Sequence, residues 1–397
     1  MIDPERYPLA YCTNVHYTPN AAALLENLSR FATPVREAVD GERPLGVGLW
    51  FSDVVVREFQ DRGRLAELCQ RLAESRLIAY TFNAFPQTNF HQPIVKHAVY
   101  RPDWTTDARV EYTLAVAEVV DQLLPAGSEG SISTLPLGWG SKSDPEFWQA
   151  CRANLLRIAR AFAHRESQSG RLLYLCLEPE PGCALSTIAD AVTLFAEHLL
   201  IGPERELLQR YVRVCYDVCH AAVMFESQAE ALGGMVSAGV GIGKVQISSA
   251  VEASWSQGCS AERGAILDAL AAFDEPRYLH QTSARRAPGM PGDFWEDLVL
   301  ARPQLAAWEQ AIVRVHFHVP IFAAHLGVLH TTQAEIDAFL AAVAQLPAAQ
   351  RPAHYEVETY AWTVLPDAHR SHSLVAGIAH ELRWLSERLN RLNNGLA

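Results

Sequence analysis

Side chains able to bind or acidify a substrate stand at the ends of four apolar runs. LLYLCLEPEPG closes on Glu178 and Glu180, and VRVCYDVCH on Asp217 with His220 one turn on. KVQISS carries Gln246, and HYEVETYAW carries Glu356 and Glu358. A bare carboxylate at the edge of a core costs several kcal/mol unless something positive faces it. Several such ends together therefore point to a cation held among Glu178, Asp217 and Glu358. Oxygen donors with one or two imidazoles suit Mn²⁺, Mg²⁺, Co²⁺ or Zn²⁺. Within each Glu pair the two-residue spacing puts both side chains on one strand face. Glu178 is the expected ligand of its pair because Pro179 ends the run there, and Glu358 because it lies nearer the C-terminal end. Glu180 and Glu356 are then expected to touch substrate or to support a ligand.

Other residues add to this set. His316 and His318 in VRVHFHVPIF share one face, and His318 is a candidate metal ligand with His316 beside it. Asn14 and His16 occur in the first apolar run, and Lys96 in a long loop, where His16 and Lys96 could orient substrate hydroxyls. Cys215 and Cys219 bracket Asp217 at C-x₃-C spacing, but no second pair completes a zinc site, so both read as core residues. Trp50, Phe82, Phe85, Trp139 and Trp362 are candidates to line a small-molecule pocket.

These residues need elements that bring their tips together. Eight strand-like runs, at 10–16, 46–51, 78–84, 132–137, 173–178, 212–217, 244–248 and 355–359, alternate with helical periodicity. Leu155, Ile158, Ala159 and Phe162, for example, fall on one helical face. Ser143…Glu146 and Thr332…Glu335 read as capping boxes. This α/β alternation predicts a (β/α)₈ TIM barrel over the whole 397-residue chain. Residues 277–343 are expected to form an insertion between strands seven and eight, over the C-terminal face. The loops at 85–106 and 280–297 should lie over that same face, where barrel enzymes carry their chemistry.

Composition narrows the partners. With 33 Lys+Arg against 45 Asp+Glu the net charge is −12, and no basic stripe is present to meet a phosphate backbone. Nucleic acid is therefore not an expected partner. The start of the chain lacks a secretory pattern, and eight scattered cysteines read as thiols of a reducing, cytoplasmic compartment. No apolar run approaches the length of a membrane span.

With LCLEPEPG, YDVCH, KVQIS and YEVETYAW in place, the chain resembles the xylose-isomerase-like TIM-barrel superfamily of sugar isomerases, ketose 3-epimerases and endonuclease IV-type enzymes. YCTNVH, VGLWFS, VKHAVYRPDW and LEPEPGC look most like its EboE-type metabolite-traffic proteins. The resemblance spans most of the chain. It implies one divalent metal held by Glu178, Asp217 and Glu358, with Gln246 where many relatives have His. Either the Gln246 carbonyl or His318 then completes the set. The implied activity is sugar or polyol isomerisation or epimerisation by metal-assisted proton transfer, with Glu178 and Glu358 as base and acid and His220 orienting substrate. The alternative is a binding or traffic protein without catalysis. A small sugar-like substrate and a homo-oligomer are compatible with either reading, whereas the acidic balance opposes an endonuclease.

Overall fold

Eight of the apolar runs pair edge to edge in the computed structural model, which describes residues 7–88, 91–140, 143–258, 260–370 and 372–393. Seven come first in the chain: β1 (Ala10–Cys12), β2 (Leu45–Trp50), β3 (Leu77–Asn83), β4 (Glu129–Thr134), β5 (Leu172–Leu177), β6 (Val212–Asp217) and β7 (Ile242–Ile247). Six strands of a different sheet follow: β8 (Val251–Trp255), β9 (Thr282–Arg285), β10 (Asp293–Trp295), β11 (Ala311–Val315), β12 (His325–Leu326) and β13 (Leu329–Thr331). The last, β14 (Tyr355–Val357), returns to the first sheet. It pairs in parallel with both β7 and β1, closing the barrel β1-β2-β3-β4-β5-β6-β7-β14. Each of the eight runs expected from sequence supplies one of these strands. Their near-continuous apolar character follows from burial on both faces, by the barrel interior and by the helical ring.

Helix starts are set by short polar side chains that accept from the first free backbone N–H groups. Ser52, Asp61, Thr106, Thr187 and Ser227 act in this way. The reciprocal capping box belongs to Thr187 and Asp190. The two boxes expected from sequence are not formed. Asp144, one residue past Ser143, caps the helix Pro145–Ser169, while the Thr332 hydroxyl accepts from Ala250 N at 2.8 Å. Two helices follow β6, Val218–Val223 and Gln228–Ala238. Phe225, with φ +57°, turns the chain between them.

The second sheet is antiparallel, in the order β10-β9-β11-β8-β13-β12. It spans residues 251–331 and so begins earlier than the insertion expected at 277–343. The helix Gln333–Gln345, expected inside that insertion, packs between Gln228–Ala238 and Leu374–Asn393 in the outer ring. Because β8 starts four residues after β7 ends, this sheet rises from the C-terminal mouth of the barrel. Most of the loop expected at 280–297 is its β9–β10 hairpin.

Inside the barrel, Glu356 is held by a buried polar network rather than facing a substrate. Its carboxylate accepts from Lys244 Nζ at 2.7 Å, Thr81 Oγ1 at 3.0 Å and Asn83 Nδ2 at 3.0 Å. Gly48 leaves room for it: a Cβ there would stand 1.9 Å from Glu356 Oε1 and 2.3 Å from Cδ. Gly48→Ala is expected to destabilise the fold by about 2–4 kcal/mol, through overpacking and a displaced buried ion pair. Gly233→Ala, in a helix with open space around the new methyl, should be neutral or stabilising. Urea denaturation of both variants checks the contrast, and equal midpoints would refute it.

Candidate metal centre

A cleft with about 610 Å³ of open space lies at the C-terminal mouth. Its polar lining includes Asn14, Glu178, Glu180, His220, His318 and Glu358, and its apolar lining includes Phe85, Val99, Tyr278 and Tyr360. The chain therefore presents acids and imidazoles to a pocket with aromatic sides.

Glu178, Asp217 and Glu358 meet there, each offering an oxygen within 4.8 Å of the others. All three are buried. Glu178 follows the last residue of β5, and its carboxylate takes no hydrogen bond from any described residue. Asp217 ends β6 and caps the short helix after it. Its Oδ1 accepts from His220 N at 2.8 Å and from Ser248 Oγ at 2.8 Å, while Oδ2 is buried without a partner. Glu358 accepts from Asn14 Nδ2 at 2.7 Å. Burial, together with the neighbouring charges, raises the proton affinity of the group. Glu178 is pushed well above the carboxylate range by burial and by Glu358 and Asp217. Glu358 is pushed up to about 8 by burial and by Asp217 and Glu356. Asp217 is raised by burial, against the lowering effect of His318 and its hydrogen bonds.

Three imidazoles adjoin these acids. The Nδ1 atoms of His220, His316 and His318 lie 2.8, 2.8 and 2.9 Å from Pro179 O, Gln281 Oε1 and Glu358 O. Carbonyl oxygens only accept, so each Nδ1 carries the proton and each Nε2 presents a lone pair. The Gln281 amide cannot be turned without loss, because its nitrogen donates to Glu180 Oε1 at 2.9 Å. Burial lowers His220 to about 4, and it lowers His318 to about 4 despite Asp217 nearby. His316 is lowered well below its usual range by burial and by the other two rings. His318 Nε2 lies 3.9 Å from Asp217 Oδ2. Cys219, read from sequence as a core thiol, is buried with its sulfur within 4.8 Å of His316 and His318 nitrogens.

The remaining sequence candidates divide between the cleft and the core. His16 does not line the cleft; its ring stacks on Phe31 with centroids 4.4 Å apart, and Nε2 lies 3.1 Å from Tyr11 Oη. Burial and nearby His91 hold it near 3. Asn14, two residues earlier, is the group this segment delivers. Gln246 donates from Nε2 to Asn83 Oδ1 at 3.2 Å, within the network around Lys244 and Glu356. Lys96 does line the cleft, but its ammonium is paired with Asp297. With His97–Glu296 at 3.4 Å, this ties the loop after β3 to the second sheet. Of the five aromatics singled out, Phe85 lines the cleft, whereas Trp50, Phe82 and Trp362 are core residues. Trp139 packs on Tyr100, with centroids 4.8 Å apart.

Tyr100 and Gln281 carry no sequence signal, yet both bind Glu180 Oε1, at 2.6 and 2.9 Å. Tyr100 ends a five-residue 3₁₀ turn and Gln281 lies in a loop, where no periodicity marks a side chain as inward.

No protein-family model matches the chain, and no curated protein matches it. Solved structures do. A D-tagatose 3-epimerase-like protein superposes with TM-score 0.51 at 10% identity, covering 98% of this chain and 99% of that one. The IolI protein, solved with a bound zinc atom, gives 0.47 at 11% identity over 97% and 98% of the two chains. A xylose isomerase domain protein from Alicyclobacillus acidocaldarius gives 0.45 at 12%, over 98% and 99%. At this identity the likeness is one of fold alone, a (β/α)₈ barrel. No helix of the described residues is long and apolar enough to cross a membrane.

Proposed function

We propose that this protein is a divalent-metal-dependent isomerase or epimerase of a small sugar or polyol. The observation that carries the reading is the buried meeting of Glu178, Asp217 and Glu358 within 4.8 Å at the cleft. Three carboxylates so placed repel one another unless protons or a cation lie among them. The buried, unpartnered Asp217 Oδ2 fits a cation as a ligand, and Glu178 lines the same cleft beside it. His318 supplies the imidazole, because its Nδ1–H is fixed by Glu358 O and its Nε2 faces Asp217. The Gln246 amide, engaged with Asn83, is not needed for the set.

A bound divalent ion would polarise adjacent substrate oxygens and acidify the carbon-bound proton between them. Glu178 and Glu358 sit just past β5 and β14, strands three places apart around the barrel. From these two positions one can remove the proton and the other return it. Asn14 holds the Glu358 carboxylate in place, and the hydrogen bonds at Asp217 Oδ1 leave Oδ2 free to hold an ion. The aromatic sides of the cleft exclude water from the transfer.

The reading is tested by incubating the Mn²⁺-loaded protein with a panel of ketoses, aldoses and polyols and following both heat and product. Epimer or isomer formation supports it. A sugar that binds without product identifies a carrier instead.

The raised proton affinities give a pH prediction. Metal-free, Glu358 keeps its proton to about pH 8 in the fold, against an ordinary value near 4.5 when unfolded. Between those limits the folded state binds more protons, so metal-free stability falls as pH rises. Metal binding expels those protons. The Tm increase on adding Mn²⁺ should therefore grow from about pH 5 to about pH 8. An increase that shrinks with pH would contradict this site.

A further inference from the structure

We infer that Glu381, on the outer-ring helix Leu374–Asn393, is a positioning residue that fixes the separation of His318 from Glu358. The inference rests on the ligand set proposed above. Both ligands lie past the ends of their strands, His318 beyond Val315 of β11 and Glu358 beyond Val357 of β14. There each segment is tied to the end of β7 or just beyond it, through Val319 N to Ser249 O at 2.9 Å and Glu358 N to Ile247 O at 3.1 Å. Those bonds set each segment on the barrel but do not join one to the other.

Glu381 joins them directly. A single oxygen, Oε1, accepts from Thr359 Oγ1 at 2.6 Å and from Ile321 N at 3.1 Å. Thr359 follows Glu358, and Ile321 lies three residues past His318. One atom thus gathers both ligand-bearing segments. The His318 ring closes the same unit from the other side. Its Nδ1–H donates to Glu358 O at 2.9 Å, and the ring packs on Tyr360 with centroids 4.7 Å apart.

The helix is built to receive this contact. Glu381 is 1% exposed, and a carboxylate is seldom buried so fully unless strong donors meet it. Its donors, including Trp362 Nε1 to Oε2 at 2.9 Å, come from the segments that follow β11 and β14. One turn earlier in the helix, a Cβ at Gly377 would stand 2.5 Å from Trp362 Cη2. Glycine inside a helix is destabilising, and here its bare backbone lets the Tyr360–Thr363 turn seat against the helix. Ligand geometry must be held to a fraction of an ångström for an ion or a proton transfer. A buried carboxylate with three fixed donors can hold it so, because moving either segment breaks a charge-assisted hydrogen bond.

The test is Mn²⁺ titration of the full-length, chelator-treated protein and of three variants. Thr359→Val removes one hydroxyl and cuts only the arm to Glu358. Glu381→Gln keeps the shape but turns its amide N–H₂ toward groups that are themselves donors. Each should weaken Mn²⁺ binding by about 10–100-fold, the range for losing a partner that orients a ligand. Trp362→Phe removes the Oε2 arm and ring volume, so it should lower Tm more than Thr359→Val does, yet leave Mn²⁺ affinity near that of wild type. Co²⁺ should show an altered visible spectrum in the first two variants and the wild-type spectrum in Trp362→Phe. If Glu381→Gln does not fold, the contrast between the other two decides. Affinity losses that follow Tm, largest in Trp362→Phe, would assign Glu381 to folding alone and overturn the inference. Wild-type affinity in Thr359→Val and Glu381→Gln, with binding lost in Glu178→Gln, would overturn it and leave the ligand set standing. Binding that Glu178→Gln does not affect would overturn the ligand set, and the inference with it.

Discussion

Glu178→Gln is expected to lower turnover by about 10³-fold or more without loss of fold. The substitution keeps the side chain's shape and removes its charge and its capacity to take a proton. Glu178 accepts no hydrogen bond from the described residues, so no structural contact is broken. In the metal-free protein, one of three mutually repelling carboxylates becomes neutral. The metal-free variant should therefore melt at or above the wild-type temperature, above all near pH 8, where Glu358 is losing its proton. A lower Tm together with lost turnover would point to a structural role instead. Turnover equal to wild type would remove Glu178 from the mechanism. Asp217→Asn makes a useful companion, because its Oδ1 can still accept from His220 N and Ser248 Oγ. Ion affinity, measured in both variants, then separates loss of a ligand from loss of a base.

The barrel was legible because its parallel strands are buried on both faces and read as apolar runs. The second sheet was not. β9 (TSAR) and β10 (DFW) have no apolar run, and β12 has two residues. β9 pairs with β11, β10 with β9 and β12 with β13, pairings that no local pattern records. The acids could be read because polar residues interrupt apolar strands at one end. Choosing within a pair was only partly legible. Glu356 and Glu358 share a face, and their order along the strand places Glu358 nearer the mouth. What occupies Glu356 is Lys244, 112 positions away in sequence and adjacent only once β7 and β14 pair. His16 misled for a related reason. Its type suggested chemistry, but Phe31 offers its ring a stacking face and Tyr11 a hydrogen bond.

Lys244→Met should be the most destabilising single change in the barrel interior, at about 3–5 kcal/mol. Lys244 and Glu356 are 0% and 1% exposed in their side chains, with Nζ and Oε2 2.7 Å apart. Burial lowers the lysine's hold on its proton, but the charge and hydrogen bond of Glu356, together with Cys215 and Cys12, outweigh this and keep it an ammonium. Methionine fills similar volume but leaves Glu356 charged and unpaired in a place water does not reach. Lys244→Met/Glu356→Gln removes both charges, and Thr81 and Asn83 can still serve the amide. The double variant should recover most of the loss, giving a coupling energy of about 2 kcal/mol or more in a double-mutant cycle. Additive losses in urea denaturation would show that the pair is not the source of the effect. The same ammonium lowers the proton affinity of Glu178 and Glu358 just above it. Where the single variant still folds, metal uptake should need a higher pH than in wild type, because the carboxylates release their protons later. The ion pair beneath the site thus sets both the stability of the barrel and the pH at which its mouth can take up a cation.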